Sequence, residues 1–576
     1  MEALKFYTHW LLFDANHLWQ IGYLGLILGV SGLNAVIYDP KTLPRFLSTS
    51  LMLLVSCGII QAYYFTFDFL VYIVLIALPI VLLTIIFNSF SFDHKEKRKV
   101  ESVFDVLFTA KNGRIKFVLN LLRGGVVFGA AGSGKTATKF ARILKHMIFK
   151  KLSGVVYDHK DFELAEIVYY FNQLAKKEGL NPLKLWTVCF HQPAYSHRVN
   201  PIDPKYLTQV DDIKVIAQAL MDNLGSSDES GDNYFRNGAR AAISGCICRL
   251  KEDFPDQCSI PYVCAIMTTQ SVKEIVHFLE GHPMSKMLAA PFLDARSSAN
   301  TMASLKSSVT DALVNIISPS VFYVLSGNDF DLSLNKNEDP AIALLVNKPG
   351  KEAMYNSLHA LIFTTIQLEM CHRNRNPSLV VLDEAGQIKF NKLYNIPALL
   401  RSFNIGTIFG IQDKVQGNLL YKENEIKALL ANLSTKMFGK SNLPETSKFY
   451  EQYFELIKIK QKSISQKQAT VFGSSADKRE TISDKEEAKH RAFEFDKLKS
   501  GEFHVFDENG KHMFNRWDMI EFTPVKPFKI HDVSEYELEI NFNEIVSKAT
   551  YLGLSQEMID EKKARLTQDK SLNKAR

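Results

Sequence analysis

Residues 124–136 read Gly-Gly-Val-Val-Phe-Gly-Ala-Ala-Gly-Ser-Gly-Lys-Thr. The opening run, Gly124 to Phe128, has the length and apolar character of a short buried strand. Gly129 to Thr136 then fits G-x-x-x-x-G-K-[ST], and a helical pattern continues through Ile148. A strand before and a helix after is the context in which this motif cradles phosphate rather than merely turning the chain. Its glycines let backbone N–H groups turn inward, and the positive end of the following helix dipole adds to that field. Gly129, Ala130, Ala131, Gly132, Ser133, Gly134, Lys135 and Thr136 are therefore the expected nucleotide contacts. Lys135 is expected to reach the β- and γ-phosphates, and the Thr136 hydroxyl to ligate magnesium.

Binding a nucleotide does not require hydrolysing it, so the second half of such a site must be found elsewhere. Residues 378–384 read Ser-Leu-Val-Val-Leu-Asp-Glu, an apolar strand with two acids at its carboxyl end, where ligands gather in parallel sheets. Asp383 is expected to hold the magnesium shell and Glu384 to polarise the attacking water. ATP and Mg2+ are the substrate and cofactor this pairing predicts. Gly154 to Tyr157, Ala341 to Val346 and Gly406 to Ile411 are further short apolar runs that close on polar residues, with helical patterns between them. Together they predict a parallel α/β sheet. Gln412, at the end of the last run, falls where RecA-like motors place a glutamine that senses the γ-phosphate; alone, it reads equally as a polar residue leaving a strand. Arg401, on the preceding helix, is a candidate arginine finger for a neighbouring subunit's nucleotide, or simply a surface arginine.

Upstream of this body the character of the chain changes. The average over 576 residues, 46% hydrophobic and 23% charged, hides three apolar runs: Ile21 to Tyr38, Phe46 to Phe65 and Leu70 to Phe87. No lysine, arginine, aspartate or glutamate interrupts them, and each is near the ~20 residues a helix needs to cross a bilayer. A secretory leader is a poor fit, since neither a basic flank nor a small-residue cleavage pattern is present. Lys41 and Arg45 lie in the first connection, only Asp68 marks the second, and Asp93 to Lys99 is dense in basic residues. Basic flanks stay cytoplasmic, which predicts a cytoplasmic body. The N-terminus lies outside with three spans and inside with two.

The net charge of +6 suits nucleic acid or an anionic membrane surface without choosing between them. The seven cysteines show no paired C-x-x-C spacing with matching histidines, which argues against a zinc site. Cys246 and Cys248 sit in a helix-like stretch and read as reduced packing residues.

In this order the features resemble the type IV coupling proteins, the conjugative DNA-transfer ATPase family related to TraG and TraD. The resemblance runs from the anchor to about Phe522. It rests on the phosphate loop, on Asp158-His159-Lys160-Asp161-Phe162-Glu163 in place of the family's Asp-Pro-Lys-Gly-Glu strand end, and on Asn200-Pro201. A helical insertion follows, then Leu382-Asp383-Glu384, Arg401, Gln412 and the Leu498 to Glu502 segment before a closing strand. The chain departs from the family at His159, at Asp161-Phe162 where a glycine is usual, and at Ala385 where a phenylalanine is usual. These departures leave the phosphate chemistry intact and mark a divergent branch.

The resemblance implies a RecA-like P-loop NTPase domain with an inserted all-α domain, preceded by a transmembrane helical anchor. It divides the chain into an anchor (1–92), a first nucleotide-domain segment (93–204), a substrate-recruiting helical domain (205–326), a second nucleotide-domain segment (327–540) and a charged helix or tail (541–576). It implies a homo-hexamer on the bacterial inner membrane, whose partners are single-stranded DNA with its relaxase and the components of a type IV secretion channel. Periodicity independently predicts helices at Asp212 to Leu224, Asn233 to Leu250, Ser271 to Leu279 and Ala303 to Ile317. Lys458, Lys460, Lys462 and Lys467 alternate partly with isoleucines, as in a two-stranded ribbon. That ribbon is either a solvated excursion or a substrate-facing loop meeting DNA phosphates. Gln556 to Arg576 mixes both charges and predicts a solvated helix fraying into a tail. Two rival functions stay open: an ATP-gated receptor for secreted protein cargo, and a double-stranded DNA translocase of the FtsK type.

Overall fold

The computed structural model describes residues 102–574 except 112, 114, 115, 225–232, 455, 467–477 and 489, together with Lys5 and His9. The three apolar runs expected to span a membrane lie outside the described residues. Among the described residues no single helix is long and apolar enough to cross a bilayer.

In chain order the strands are β1 (Asp105–Thr109), β2 (Lys116–Asn120), β3 (Gly125–Phe128), β4 (Ser153–Asp158), β5 (Lys184–Cys189), β6 (Ala341–Val346), β7 (Ser378–Leu382), β8 (Ile405–Ile411), β9 (Thr435–Phe438), β10 (Leu456–Gln466), β11 (Lys478–Ala488), β12 (Glu502–Phe506) and β13 (His512–Arg516). Nine of them form one sheet in the order β13-β12-β9-β3-β8-β7-β4-β6-β5. From β9 to β5 every pairing is parallel, whereas β12 and β13 join antiparallel at the edge. The sheet is therefore mixed, and the purely parallel expectation holds only for its centre. The reason lies in coverage: the central strands are buried along their whole length, as parallel strands with helices on both faces must be. β13, which alternates exposure and reads His-Met-Phe-Asn-Arg, tolerates an edge.

Alternate residues of each central strand feed two cores. Val126, Phe128, Val155, Tyr157, Val380 and Leu382 face one side. Val127, Val156, Leu379 and Val381 face the other, under the helices Ala141–Phe149 and Glu163–Lys177 and the β1–β2 hairpin. β5 and β9 are among the strands the periodicity reading missed; each carries lysine and threonine among its apolar residues, so alternation gave no signal there.

Between β5 and β6 the chain is helical, with Val210–Leu224, Asn233–Asp253, Ile260–Thr269, Val272–Glu280, Ala299–Val314 and Pro319–Leu325 as its main elements. Ser271 and Glu274 form a reciprocal capping box that starts the fourth. The helix Glu352–Met370 packs along Val210–Leu224, so the helical layer shares a core with one face of the sheet. Cys246 and Cys248 are buried and unbridged there.

The helix expected from Gln556 onward forms and is largely exposed, but it and the helix before it are anchored to the helical layer. Glu535–Tyr551 packs on Ile260–Thr269 and Pro319–Leu325, and the Gln270 side-chain amide donates to the carbonyls of Ala549 (2.9 Å) and Leu552 (3.1 Å). In the helix Gln556–Lys574, Lys562 is 9% exposed and donates to Glu274 at 2.8 Å. A mixed-charge helix can hide its anchoring residue, because a long lysine stem buries while its head finds one carboxylate. The β10–β11 ribbon forms as an antiparallel pair whose register sets Lys458 opposite Glu486 and Lys460 opposite Asp484. Two of the lysine positions thus face acidic ones across the ribbon.

Candidate active site

The site lies at the carboxyl edge of β3, β8, β7 and β4. The phosphate loop leaves β3 in a backbone path that only glycine adopts freely: φ is +75° at Gly132 and +86° at Gly134. A Cβ at Gly129 would lie 2.6 Å from Ser133 Oγ, and one at Gly134 would lie 2.8 Å from the Gly501 nitrogen. The loop is pinned from both sides, by Ala130 N–H donating to the Lys440 carbonyl (2.7 Å) and Gly501 N–H donating to the Ser133 carbonyl (2.8 Å). Ser133 Oγ is buried with no hydrogen-bond partner among the described residues, the condition of a polar atom built to meet a ligand. A π-type turn at Thr136–Phe140 then leads into the helix Ala141–Phe149.

Lys135 and Glu384 meet inside this edge. Nζ donates to Oε1 at 2.9 Å, with 6% and 3% of the two side chains exposed. Glu384 adopts the left-handed region at φ +51°, where a non-glycine residue is strained and such strain gathers at functional positions. It is held there by its neighbours: Asp383 N–H donates to the Tyr157 carbonyl (3.2 Å) and Ala385 N–H to the Gly410 carbonyl (2.9 Å). Asp383 is buried beside them, and Gly410 gives it room, since a Cβ at 410 would lie 2.7 Å from its Oδ1. The Asp383 carboxyl is pushed up to about 6, chiefly by burial, with the Lys135 charge pulling against that rise and the Glu384 charge adding to it.

The strand end of β4 completes the group. Thr136 Oγ1 donates to Glu163 Oε1 at 3.0 Å. Lys160 Nζ lies 3.7 Å from Glu163 and 3.9 Å from Glu384 Oε1. Asp158 accepts from the backbone nitrogens of Lys160, Leu164 and Ala165 at 2.8–3.0 Å and so caps the helix Glu163–Lys177. Burial pushes its carboxyl up to about 7 despite those donors. Asp161 and Phe162 both have positive φ, +52° and +71°, so the turn keeps a shape that glycine would adopt freely. Asp161 is fixed by a hydrogen bond with His191 (2.6 Å) and an ion pair with Lys348, which together outweigh its burial and hold its carboxyl below the usual range.

Lys135, Thr136, Asp383 and Glu384, predicted from separate motifs, thus line one edge with the whole phosphate loop. Gln412 joins them by register: it follows β8, whose last residue, Ile411, accepts from Gly129 N–H at 3.2 Å. Arg401 does not join them. It is exposed at the end of the helix Ile396–Arg401, before β8 begins, and a strand of that length at ~3.3 Å per residue places it roughly 20 Å from the phosphate loop. Glu163, Lys160, Gly410 and Gly501 were missed as site residues. Glu163 and Lys160 stood in a recognised segment, but only packing shows that they face Thr136 and Glu384.

The donor set fits a magnesium-bound nucleotide: hard oxygens from Thr136, Asp383 and Glu163, and two lysine ammoniums beside a glycine cradle. A model of the family described as type IV secretory system conjugative DNA transfer matches residues 89–489. Among solved structures, the unbound bacterial conjugative coupling protein TrwBΔN70 aligns with a TM-score of 0.56 and 13% identity, over 73% of this chain and 90% of that one. The plasmid coupling protein TrwB with ADP and Mg2+ aligns at 0.55 and 13%, over 70% and 87%. TrwB with a non-hydrolysable ATP analogue aligns at 0.55 and 12%, over 70% and 87%. At these identities the likeness establishes the fold, an α/β sheet with many helices. No curated protein sequence matches the chain.

Proposed function

Because the chain belongs to the type IV secretory system conjugative DNA-transfer family, we propose that it is a membrane-anchored coupling ATPase that drives single-stranded DNA with its relaxase into a secretion channel. The observation that carries the reading is the buried Lys135–Glu384 contact of 2.9 Å. It brings a phosphate-binding cation and a water-activating carboxylate, 249 residues apart in the chain, to one point.

Lys135 is held by Glu384 until a triphosphate offers its ammonium stronger partners. Glu384, released from the lysine, is then a free carboxylate able to accept a proton from water. Thr136 and Asp383 would hold Mg2+, which when bound supplies charge neutralisation at the phosphate oxygens. Gln412, at the strand end beside Gly129, would report the state of the γ-phosphate to β8. Arg401, far from its own site, suits only a neighbour's nucleotide, in keeping with a homo-hexameric ring. The reading includes a bacterial inner-membrane location with the body in the cytoplasm.

The test is phosphate release by the purified full-length chain in lipid or detergent, with and without single-stranded DNA. The expected result is turnover stimulated by DNA, abolished by Lys135→Ala, with loss of DNA transfer in cells carrying that variant. Absence of hydrolysis in the wild type with DNA present, together with normal transfer by Lys135→Ala, would overturn the motor reading.

A further inference from the structure

Three histidines converge at the root of the β10–β11 ribbon. His504 lies on β12 and His512 on β13, and the register pairs His504 with Phe514 and Phe506 with His512. The two histidines therefore sit one diagonal step apart on the same face of the hairpin. His504 Nδ1 and His512 Nε2 are 3.0 Å apart. His490, which follows β11 directly, closes the third corner, so that one ring nitrogen from each of the three lies within 4.8 Å of the others. We propose that His490, His504 and His512 form a zinc-class metal site that ties the base of the ribbon to the β12–β13 hairpin.

The geometry is near what such an ion requires. Ligand nitrogens at ~2.0–2.1 Å from a tetrahedral centre stand roughly 3.3 Å from one another, so side-chain rotation of an ångström or so would close the group. His490 Nδ1 faces Glu494 Oε2 at 2.8 Å. This is the carboxylate partnership that fixes the tautomer and aim of metal-bound imidazoles and leaves Nε2 as the ligand. Phe454 packs against all three rings, with centroids 4.9, 5.3 and 5.0 Å away, and Phe495 and Phe506 extend the apolar wall. An all-imidazole set selects zinc, copper or nickel over magnesium and calcium, so the site would not compete for the cation of the nucleotide.

Its position gives the ion a mechanical role. Phe454 precedes β10 and His490 follows β11, so the cluster grips both legs of the ribbon. The same hairpin begins beside Gly501, whose N–H supports the phosphate loop at Ser133. A metal here would make the ribbon and the phosphate loop two ends of one stiff unit. This inference does not depend on the coupling-ATPase reading.

The experiment uses tag-free full-length chain equilibrated with Zn2+ in excess Mg2+, freed of unbound metal and measured for metal content. The expected result is about one zinc per chain, replaceable by Co2+ with the visible absorption of a four-coordinate nitrogen site. His490→Gln with His512→Gln should lose both signals. Glu494→Gln, on a partly exposed residue, should weaken zinc binding by roughly 10- to 100-fold while the chain stays folded. Wild-type chain retaining under about a tenth of an equivalent would overturn the proposal. So would equal zinc content in the double variant, or unchanged affinity in Glu494→Gln should the double variant not fold.

Discussion

Replacing Glu384 by Gln should tighten ATP binding while abolishing turnover, and the size of the first effect follows from the Lys135 contact. At 2.9 Å and an effective dielectric of about 20, the gross attraction of the two charges is roughly 6 kcal/mol. Desolvation of the buried pair offsets much of it. What remains is the difference between a charge-assisted hydrogen bond at about 1.5–3 kcal/mol and a neutral one at about 1. Glutamine keeps the acceptor oxygen, so the nucleotide-free chain should lose about 0.5–2 kcal/mol of stability. Nucleotide must displace this contact, so the same amount returns as affinity, about 2- to 30-fold tighter binding. Lys160, 3.9 Å from the same oxygen, would also be freed for the phosphates. Turnover should fall by about 10²- to 10⁴-fold as the proton acceptor is lost. Glutamine inherits the backbone at φ +51° with no relief, so strain does not confuse the comparison. Titration with a fluorescent ATP analogue, thermal unfolding without nucleotide and phosphate release measure the three quantities. Weaker ATP binding in Glu384→Gln, combined with turnover within tenfold of wild type, would refute the reasoning.

Gly410→Ala should push Asp383 away from its present position, because the new methyl would sit 2.7 Å from Oδ1 and 2.9 Å from the Phe140 ring. The expected readout is a roughly tenfold rise in half-saturating Mg2+ for hydrolysis; an unchanged requirement would show that Asp383 does not hold the metal. The acid limb gives a second check. Asp383 titrates near about 6 when buried, so Mg2+ affinity should weaken about tenfold per pH unit below that value, and Asp383→Asn should flatten the profile. The sign for stability is opposite. The folded value lies above the unfolded one of about 3.9, so the folded state holds the proton longer and nucleotide-free stability declines as pH rises from about 4 to about 6, a trend that Asp383→Asn should remove. Finally, Lys139 is fully buried without a hydrogen-bond partner among the described residues, its side-chain nitrogen among the rings of Phe108, Phe117, Phe503 and Trp517 at 4.1–5.6 Å. Lys139→Met should leave thermal stability equal or raise it by up to about 2 kcal/mol; a fall larger than that would mean that the cation–π contacts outweigh desolvation.

Sequence by itself determined the local chemistry. Gly129 to Thr136 and Leu382-Asp383-Glu384 are contiguous, and each motif carries its own backbone requirement, such as the positive φ at Gly132 and Gly134, inside a few residues. The strands β3, β4, β6, β7 and β8 were legible for the same reason, since burial on both faces leaves an uninterrupted apolar run. Strands with one polar face and few residues, β9 and β13 among them, were not legible. Nor was the seating of Lys562 against Glu274, which depends on a helix 288 residues away.

Tertiary structure decided which of these pieces face one another. The sheet order β3-β8-β7-β4 brings Lys135 to Glu384 and Thr136 to Glu163, and it sends Arg401 to the far edge. It also bends Glu384, Asp161 and Phe162 into left-handed backbone that no residue type among them announces. The same folding gathers His490, His504 and His512 from a connecting segment and two strands. These pairings come from the packing of distant segments, and the spacing of residues along a chain holds no record of that packing.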